Sequence, residues 1–191
     1  MRTFISINTD DSLKNTISGI QKNLKKSISL LNEDFLKSIR WEDKDKFHMT
    51  LFFIGDVNKS RLNEINFMLS KMESGLSLNE IKFELKSINA FPKLKYPRVL
   101  ILELINEDKK VFELSQRIYD SFKEIGFVND KTFKPHITLG RVKRDHKINL
   151  TGLDCSISPG LVFSAKEFFL MESRLKSTGS EYTVVRKFIF E

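Results

Sequence analysis

The feature that most constrains this chain is a short motif, His-x-Thr-Leu, which occurs twice in apolar surroundings. Residues 47–55 read FHMTLFFIG, and residues 135–141 read PHITLGR. The two histidines, His48 and His136, lie 88 residues apart, which is close to half of a chain of 191 residues. The repeat therefore predicts two related halves, each of which supplies one histidine and one threonine.

Each copy of the motif has the composition of a β-strand, in which residues i and i+2 point to the same face. His48 and Thr50 should therefore share one face, and so should His136 and Thr138. A polar pair on one face of an apolar strand indicates that this face lines a cleft. A single His-x-Thr in a strand is more typical of a structural histidine, but two copies at this spacing favour a paired functional site.

Two imidazoles that face one cleft suit a reaction that needs both an acid and a base near neutral pH. Opening of a cyclic phosphate is such a reaction, because water must lose a proton and the departing ribose oxygen must gain one. The threonine hydroxyls can hold the non-bridging phosphate oxygens, and Arg141, three residues after Thr138, can add a charge-assisted contact. The chain has three histidines and one cysteine without clustered metal-ligand spacing, and it has no glycine-rich phosphate loop. We therefore expect no metal site and no cofactor.

The rest of the chain alternates between strand-like and helix-like patterns, which predicts an α/β or α+β protein with helices on the faces of sheets. Apolar residues at three- and four-residue steps predict helices over about 13–31, 62–72 and 111–125. Alternating or continuous apolar runs predict strands at about 3–8, 47–55, 81–90, 98–105, 136–142, 161–172 and 181–190. Residues 143–160 are rich in polar residues, glycine and proline, and we interpret them as an irregular connection.

The charge balance favours an anionic partner. There are 32 lysines and arginines against 25 acidic residues, and the net charge of +7 would attract nucleic acid, although a merely solvated basic surface has the same composition. The single cysteine, Cys155, excludes an internal disulfide and is typical of a reducing compartment. No apolar run approaches the length of a membrane span, and the first residues have no signal-peptide pattern. We therefore expect a cytoplasmic protein that does not bind membranes, and we take it to be a monomer.

The sequence resembles the two-histidine (2H) phosphoesterase superfamily and, within it, the LigT-like RNA 2′,3′-cyclic phosphodiesterases. The two motifs carry this resemblance, and flanking segments extend it along nearly the whole chain. These segments are residues 2–7 (RTFISI), 40–41 (RW), 91–92 (FP), 97–100 (PRVL), 126–127 (GF), 172–175 (ESRL), 179 (G) and 182 (Y). One departure from the family pattern is Gly140, where alanine is commoner.

The resemblance implies an α+β fold in which residues 1–191 form one bilobal domain, with pseudo-twofold duplicated sheets, flanking helices and a central cleft. It also implies metal-independent hydrolysis of an RNA 2′,3′-cyclic phosphate to a 2′-phosphomonoester. In that reaction His48 would be the general acid that protonates the ribose 3′ oxygen, and His136 would be the general base that activates water. Thr50 and Thr138 would bind the phosphate.

The substrate is the part of this prediction that has alternatives. Related 2H enzymes act on 2′,5′-linked oligonucleotides or on small cyclic nucleotides, so the partner could be an RNA end, tRNA fragments included, or a nucleotide. A non-catalytic RNA-binding module is a further alternative, although binding alone would not need both histidines. Phe4 and Tyr182 could stack on a base or a ribose, but aromatic residues in such patterns are more often part of a core.

Overall fold

The computed structural model describes residues 1–75, 78–128, 132–176 and 179–190. Helices and strands alternate along these ranges as the sequence patterns predict. In chain order the elements are β1 (Arg2–Asn8), α1 (Asp11–Leu31), α2 (Glu33–Lys37), β2 (Ile39–Trp41), a 3₁₀ turn (Lys44–Lys46), β3 (His48–Asp56), α3 (Lys59–Glu73), β4 (Ile81–Phe91), β5 (Val99–Ile105), α4 (Lys110–Glu124), β6 (His136–Val142), β7 (Val162–Ala165), β8 (Glu167–Lys176) and β9 (Gly179–Ile189).

Helix α1 shows how the sequence fixes an element and its place. The side chain of Asp10 accepts a hydrogen bond from the Leu13 backbone N–H at 2.7 Å and so caps the helix. One face of α1 is buried, and Ile17 and Ile28 on it are fully inaccessible to solvent. Gln21 lies on the same face and donates hydrogen bonds from Nε2 to two backbone carbonyls outside the helix, those of residues 42 and 139. The second of these bonds ties α1 to β6, the strand that carries the second motif.

The strands form two antiparallel sheets. The first has the order β3-β1-β8-β9 and the second has the order β2-β6-β5-β4-β7. Counted from the motif strands β3 and β6, the two sheets correspond strand by strand, and β2 is an addition outside β6. This arrangement confirms the predicted α+β class and the duplicated sheets. The span of a single domain over residues 1–191 stays a prediction.

Two parts of the strand prediction were wrong. The run at 161–172 forms two strands, β7 and β8, which lie in different sheets, because the chain crosses from one sheet to the other at Lys166. Strand β2 and the short helix α2 were not predicted, since segments of three and five residues are too short to show a hydrophobic period.

The core joins both sheets and the helices in one cluster of buried apolar side chains. Its largest fully buried side chains are phenylalanines, and Phe83, Phe122, Phe168 and Phe188 are each at most 1% exposed. None of the helices in the described ranges combines the length and the apolar character that a membrane crossing needs.

Candidate active site

The two motif strands, β3 and β6, lie next to each other, with Cα atoms within 8 Å. His48 and Thr50 are half-buried on one face of β3, whereas Met49 between them is 1% exposed on the opposite face. The corresponding residues of β6 alternate in the same way. The two polar pairs therefore face one cleft, as the strand alternation predicts.

Both imidazoles are held by the backbone two residues earlier. Nδ1 of His48 lies 2.7 Å from the carbonyl oxygen of Lys46, and Nδ1 of His136 lies 2.6 Å from the carbonyl oxygen of Lys134. A carbonyl oxygen can only accept, so each Nδ1 must carry the proton and donate it. Each Nε2 is therefore the nitrogen that is free to exchange a proton with a substrate. Nε2 of His48 also lies 3.2 Å from Oγ1 of Thr50.

Burial lowers the pKa of both histidines below the ordinary value of 6.5. For His48, the Lys46 carbonyl opposes this effect, and the positive charges of Arg141 and His136 reinforce it. For His136, the Lys134 carbonyl raises the pKa, Arg141 lowers it and the carboxylate of Glu103 raises it. Both rings are consequently neutral near pH 7 in the free protein.

Glu103 is a neighbour of His136 that the sequence did not point to. The two residues pair across β5 and β6. The carboxylate accepts hydrogen bonds from Ser87 Oγ at 3.0 Å and from Asn89 Nδ2 at 2.9 Å. These bonds fix the negative charge on the cleft side of the sheet, where it stabilises a protonated His136. These residues lie on three different strands, β4, β5 and β6, so only the pairing of those strands brings them together.

A β-bulge brings Arg141 to the cleft. Along an unbroken strand, a residue three positions after Thr138 would point to the opposite face. However, consecutive residues of β5 pair with Thr138 and Gly140, so Leu139 is an extra residue in β6. The bulge restores Arg141 to the face that carries the histidine and the threonine.

The same irregularity occurs in β3 at the equivalent position. Consecutive residues of β1 pair with Thr50 and Phe52, so Leu51 is the extra residue. Phe53 consequently takes the place that Arg141 has in the other half, and it is 44% exposed. The guanidinium of Arg2 lies 4.8 Å from the centre of the Phe53 ring and supplies a cation on this side.

Aromatic rings pack against both imidazoles. The ring centre of His48 lies 5.0 Å from that of Phe4 and 5.2 Å from that of Tyr182, and Phe91 meets His136 edge-on at 5.0 Å. Phe4 is only 3% exposed, which leaves little of its ring for a ligand. Tyr182 is half-buried at the cleft wall. The contact of Phe4 and Tyr182 with a base or ribose stays a prediction, and what the structure places beside them is the His48 ring.

The cleft has two adjoining parts of different chemistry, and Thr50, Phe53 and Arg141 line both. The smaller part, about 450 Å³, contains His48 and is bordered by charged residues such as Arg40. The larger part, about 950 Å³, contains the second motif and further aromatic side chains. These are Phe91, Phe112, Tyr119 and Phe133. In the part of the chain that the structure describes, no three His, Cys, Asp or Glu side chains are grouped so as to hold a metal ion.

Comparison with known proteins gives consistent results for sequence and fold. Residues 3–174 match the model of a family described as the AKAP7 2′5′ RNA ligase-like domain. Curated relatives named RNA 2′,3′-cyclic phosphodiesterase include proteins of Archaeoglobus fulgidus, 28% identical over 190 residues (98% of this chain and 99% of the relative), and Methanocaldococcus jannaschii, 29% identical over 193 residues (98% and 99%).

Two solved structures illustrate the similarity of fold. A protein of Thermus thermophilus superposes with a TM-score of 0.78 at 21% identity, over 100% of this chain and 98% of its own. E. coli LigT, crystallised in complex with 3′-AMP, superposes with a TM-score of 0.67 at 19% identity, over 99% and 97% of the two chains.

Proposed function

The chain belongs to the AKAP7 2′5′ RNA ligase-like family of 2H phosphoesterases, and from this we propose that it hydrolyses RNA 2′,3′-cyclic phosphates to 2′-phosphomonoesters. The observation that carries the proposal is the matched pair of imidazoles. Each has Nδ1 held by a backbone carbonyl, and each is accompanied by a threonine hydroxyl in one cleft. The relatives named above as RNA 2′,3′-cyclic phosphodiesterases cover almost the whole chain and support the same reaction.

In the proposed reaction, Nε2 of His136 takes a proton from water, and the water oxygen forms a bond to phosphorus. The bond between phosphorus and the ribose 3′ oxygen breaks on the opposite side, and Nε2–H of His48 gives its proton to that oxygen. The phosphate stays on the 2′ oxygen, and the next cycle requires the proton on His136 to leave and one on His48 to be restored. General acid and general base catalysis of this kind each contribute about 10²–10⁴-fold.

The surroundings of the two rings favour this division of roles. His136 becomes positively charged as it takes the proton, and the fixed carboxylate of Glu103 stabilises that charge. His48 must give up a proton; Arg141 lowers the pKa of both rings, so the group that distinguishes them is the Glu103 carboxylate, which acts on His136. His48 must also be protonated before reaction, and the anionic phosphate of a bound substrate raises its pKa on binding.

The phosphate would be held by groups from both halves. The hydroxyls of Thr50 and Thr138 can donate hydrogen bonds to the non-bridging oxygens, and the Arg141 guanidinium can neutralise the charge that develops on them. Arg141 lines both parts of the cleft, so it can reach a phosphate that lies between the two histidines. No step in this scheme uses a metal ion.

The test is incubation with RNA that carries a 2′,3′-cyclic end, followed by identification of the product against 2′- and 3′-phosphate standards. We expect a 2′-phosphate, and activity that persists in excess EDTA.

His48→Ala and His136→Ala should each lower kcat/KM by about 10²–10⁴-fold with an unchanged circular dichroism spectrum. His146→Ala is the matched control when the variants are compared on cytidine 2′,3′-cyclic phosphate, because His146 lies outside the cleft, where its Nδ1 is 2.9 Å from Ser38 Oγ. A 3′-phosphate product would reverse the leaving-group assignment, and near-normal turnover by either variant would exclude the mechanism.

A second candidate function is cleavage of 2′,5′-linked oligonucleotides, and the aromatic part of the cleft favours it. Two of the three phenylalanines that are more than 40% exposed among the described residues, Phe53 and Phe112, line this part, and its volume of about 950 Å³ is that of a ligand site. It lies on the His136 side, from which water attacks in the scheme above. By microscopic reversibility, a departing 5′ oxygen and its nucleoside would occupy the same side. A 2′,5′-linked dinucleotide that yields a 2′,3′-cyclic phosphate and a free 5′-hydroxyl would support this function.

A further inference from the structure

Two loops at one end of the second sheet form a strongly basic surface. They are residues 92–98, between β4 and β5, and residues 143–147, which follow β6. Together they have a net charge of +5, against +7 for the whole chain. We call their cations the basic loop surface. They are Lys93, Lys95, Arg98, Lys143, Arg144 and Lys147, and all six are exposed.

The backbone fixes the two loops to each other. The backbone N–H of Val142 donates to the carbonyl oxygen of Arg98 at 3.0 Å, and that of Leu150 donates to the carbonyl oxygen of Leu94 at 2.9 Å. Nη1 of Arg98 donates to the carbonyl oxygen of Arg144 at 3.1 Å. The two loops are therefore held side by side, and in the described ranges none of the six cations is within 4.0 Å of a carboxylate oxygen.

The surface begins where the cleft ends. Phe91, which meets His136 edge-on, pairs with Val99, and the first loop connects these two residues. Val99 in turn pairs with Arg141, and the second loop begins two residues after it. At about 3.3 Å per residue, Lys143 lies about 7 Å along the chain from Arg141. Further cations of the protein therefore lie close to Arg141, and a phosphate that is bound at Arg141 lies close to them.

A ligand with several phosphates suits this surface, because it can contact several of the cations at once. A cyclic mononucleotide has one phosphate, which the cleft itself would hold. An RNA strand continues from its cyclic end with one phosphate per nucleotide, and single strands bind to basic grooves through these phosphates and through stacking of bases on aromatic rings. Tyr96 offers such a ring, since it is 59% exposed, and the Nζ atoms of Lys93 and Lys95 lie 5.8 and 5.6 Å from its centre.

We propose that the basic loop surface binds the sugar–phosphate backbone of the RNA strand that leads to the reacting end. This inference rests on the proposed function and makes it more specific, because it assigns polynucleotides rather than cyclic mononucleotides as the preferred substrates.

The test compares two substrates with the same terminal nucleotide: cytidine 2′,3′-cyclic phosphate and a ten-nucleotide RNA that ends in it. The variant is Lys95→Gln/Lys143→Gln/Arg144→Gln. We expect its KM for the RNA to rise about tenfold at moderate salt, because three phosphate contacts are lost, and the slope of log KM against log salt to fall by up to about 2. Its kcat/KM for the mononucleotide should not change.

The matched control is Lys59→Gln/Lys71→Gln/Lys123→Gln, which removes the same charge from exposed positions of α3 and α4. Its RNA kinetics should be those of the wild type. An equal rise in KM with both triple variants would overturn the proposal, because it would show an effect of net charge alone. An unchanged KM and salt slope in the loop variant would overturn it as well.

Binding of a fluorescent RNA that ends in a 2′-phosphate, followed by anisotropy, separates this inference from the proposed function. If the wild type opens neither substrate but binds RNA more tightly than the loop variant does, the proposed function fails and the RNA surface is retained. If the mononucleotide is opened but both proteins bind RNA equally, the surface fails and the function is retained. Binding of poly-glutamate with the affinity and loop dependence of RNA would also overturn a role in RNA recognition.

Discussion

Replacement of Gly140 by alanine tests the close approach of β2 to β6. A Cβ atom at Gly140 would lie 2.9 Å from Cγ2 of Ile39 and 3.2 Å from the carbonyl oxygen of Arg40. It would also lie 3.3 Å from Cε3 of Trp41. A branched side chain and a backbone atom cannot move away easily, so β2 must shift as a unit. Overpacking of this kind costs about 1–3 kcal/mol.

Part of that cost is offset, because alanine loses less conformational entropy than glycine on folding, by about 0.5–1 kcal/mol. The net loss for Gly140→Ala is therefore about 0–2.5 kcal/mol, which lowers the Tm of a chain of this length by up to about 10 °C. Gly19→Ala is the matched control. Gly19 lies inside α1, where an added Cβ meets nothing within 4 Å. The same substitution there should stabilise the protein by about 1 kcal/mol and raise the Tm by about 2–4 °C.

The assay is thermal unfolding followed by circular dichroism, with hydrogen exchange of the Glu42 amide as a local readout. That N–H donates to the carbonyl oxygen of Leu139 at 3.0 Å across the junction of β2 and β6, so it should exchange faster in Gly140→Ala and unchanged in Gly19→Ala. Opposite signs of the two Tm changes are the expected result. Equal increases in Tm would refute the close packing of β2 on Gly140.

Three further predictions concern the ionisation of the site. The profile of kcat/KM against pH should be bell-shaped with its maximum below pH 6.5, because burial lowers the pKa of both His48 and His136 in the free protein. Arg141→Gln removes a cation that lowers both pKa values, so the maximum should move to higher pH while kcat/KM at the maximum falls about 10- to 100-fold; a shift to lower pH would contradict this. Glu103→Gln removes the charge that raises the pKa of His136, so the acidic limb alone should move to lower pH, and movement of both limbs would show that Glu103 does not act on His136 specifically.

The sequence predicts most of the fold and the central pair of the site for a simple reason. The period of two along β3 and β6 is local, so the shared face of His48 and Thr50 follows from their spacing alone. The sequence pattern predicts the long helices equally well, because each helix buries one continuous stripe of apolar residues. The matching half of the site follows from the repetition of the motif.

What could not be predicted depends on contacts between segments that are distant in the chain. The bulge at Leu139 is defined only by its register against β5, so its effect on Arg141 is invisible in the motif itself. The partnership of Glu103 with His136 likewise requires the order of strands in the second sheet. One signal was available: Phe53 stands three residues after Thr50, as Arg141 stands three residues after Thr138, so the repeat itself marks Phe53 as a residue of the cleft.

The position of β1 within its sheet ties the assembly of the two motifs to the order of protein synthesis. Strand β1 is central in the first sheet and pairs with β8, with Arg2 opposite Ser173. That pairing closes a loop of nearly the whole chain, and contacts of such separation form late in folding. Strands β4 to β7 of the second sheet lie between residues 81 and 165 and leave the ribosome earlier. We therefore expect nascent chains to complete the second sheet before the first, so that a translation product that ends before β8 has no complete cleft.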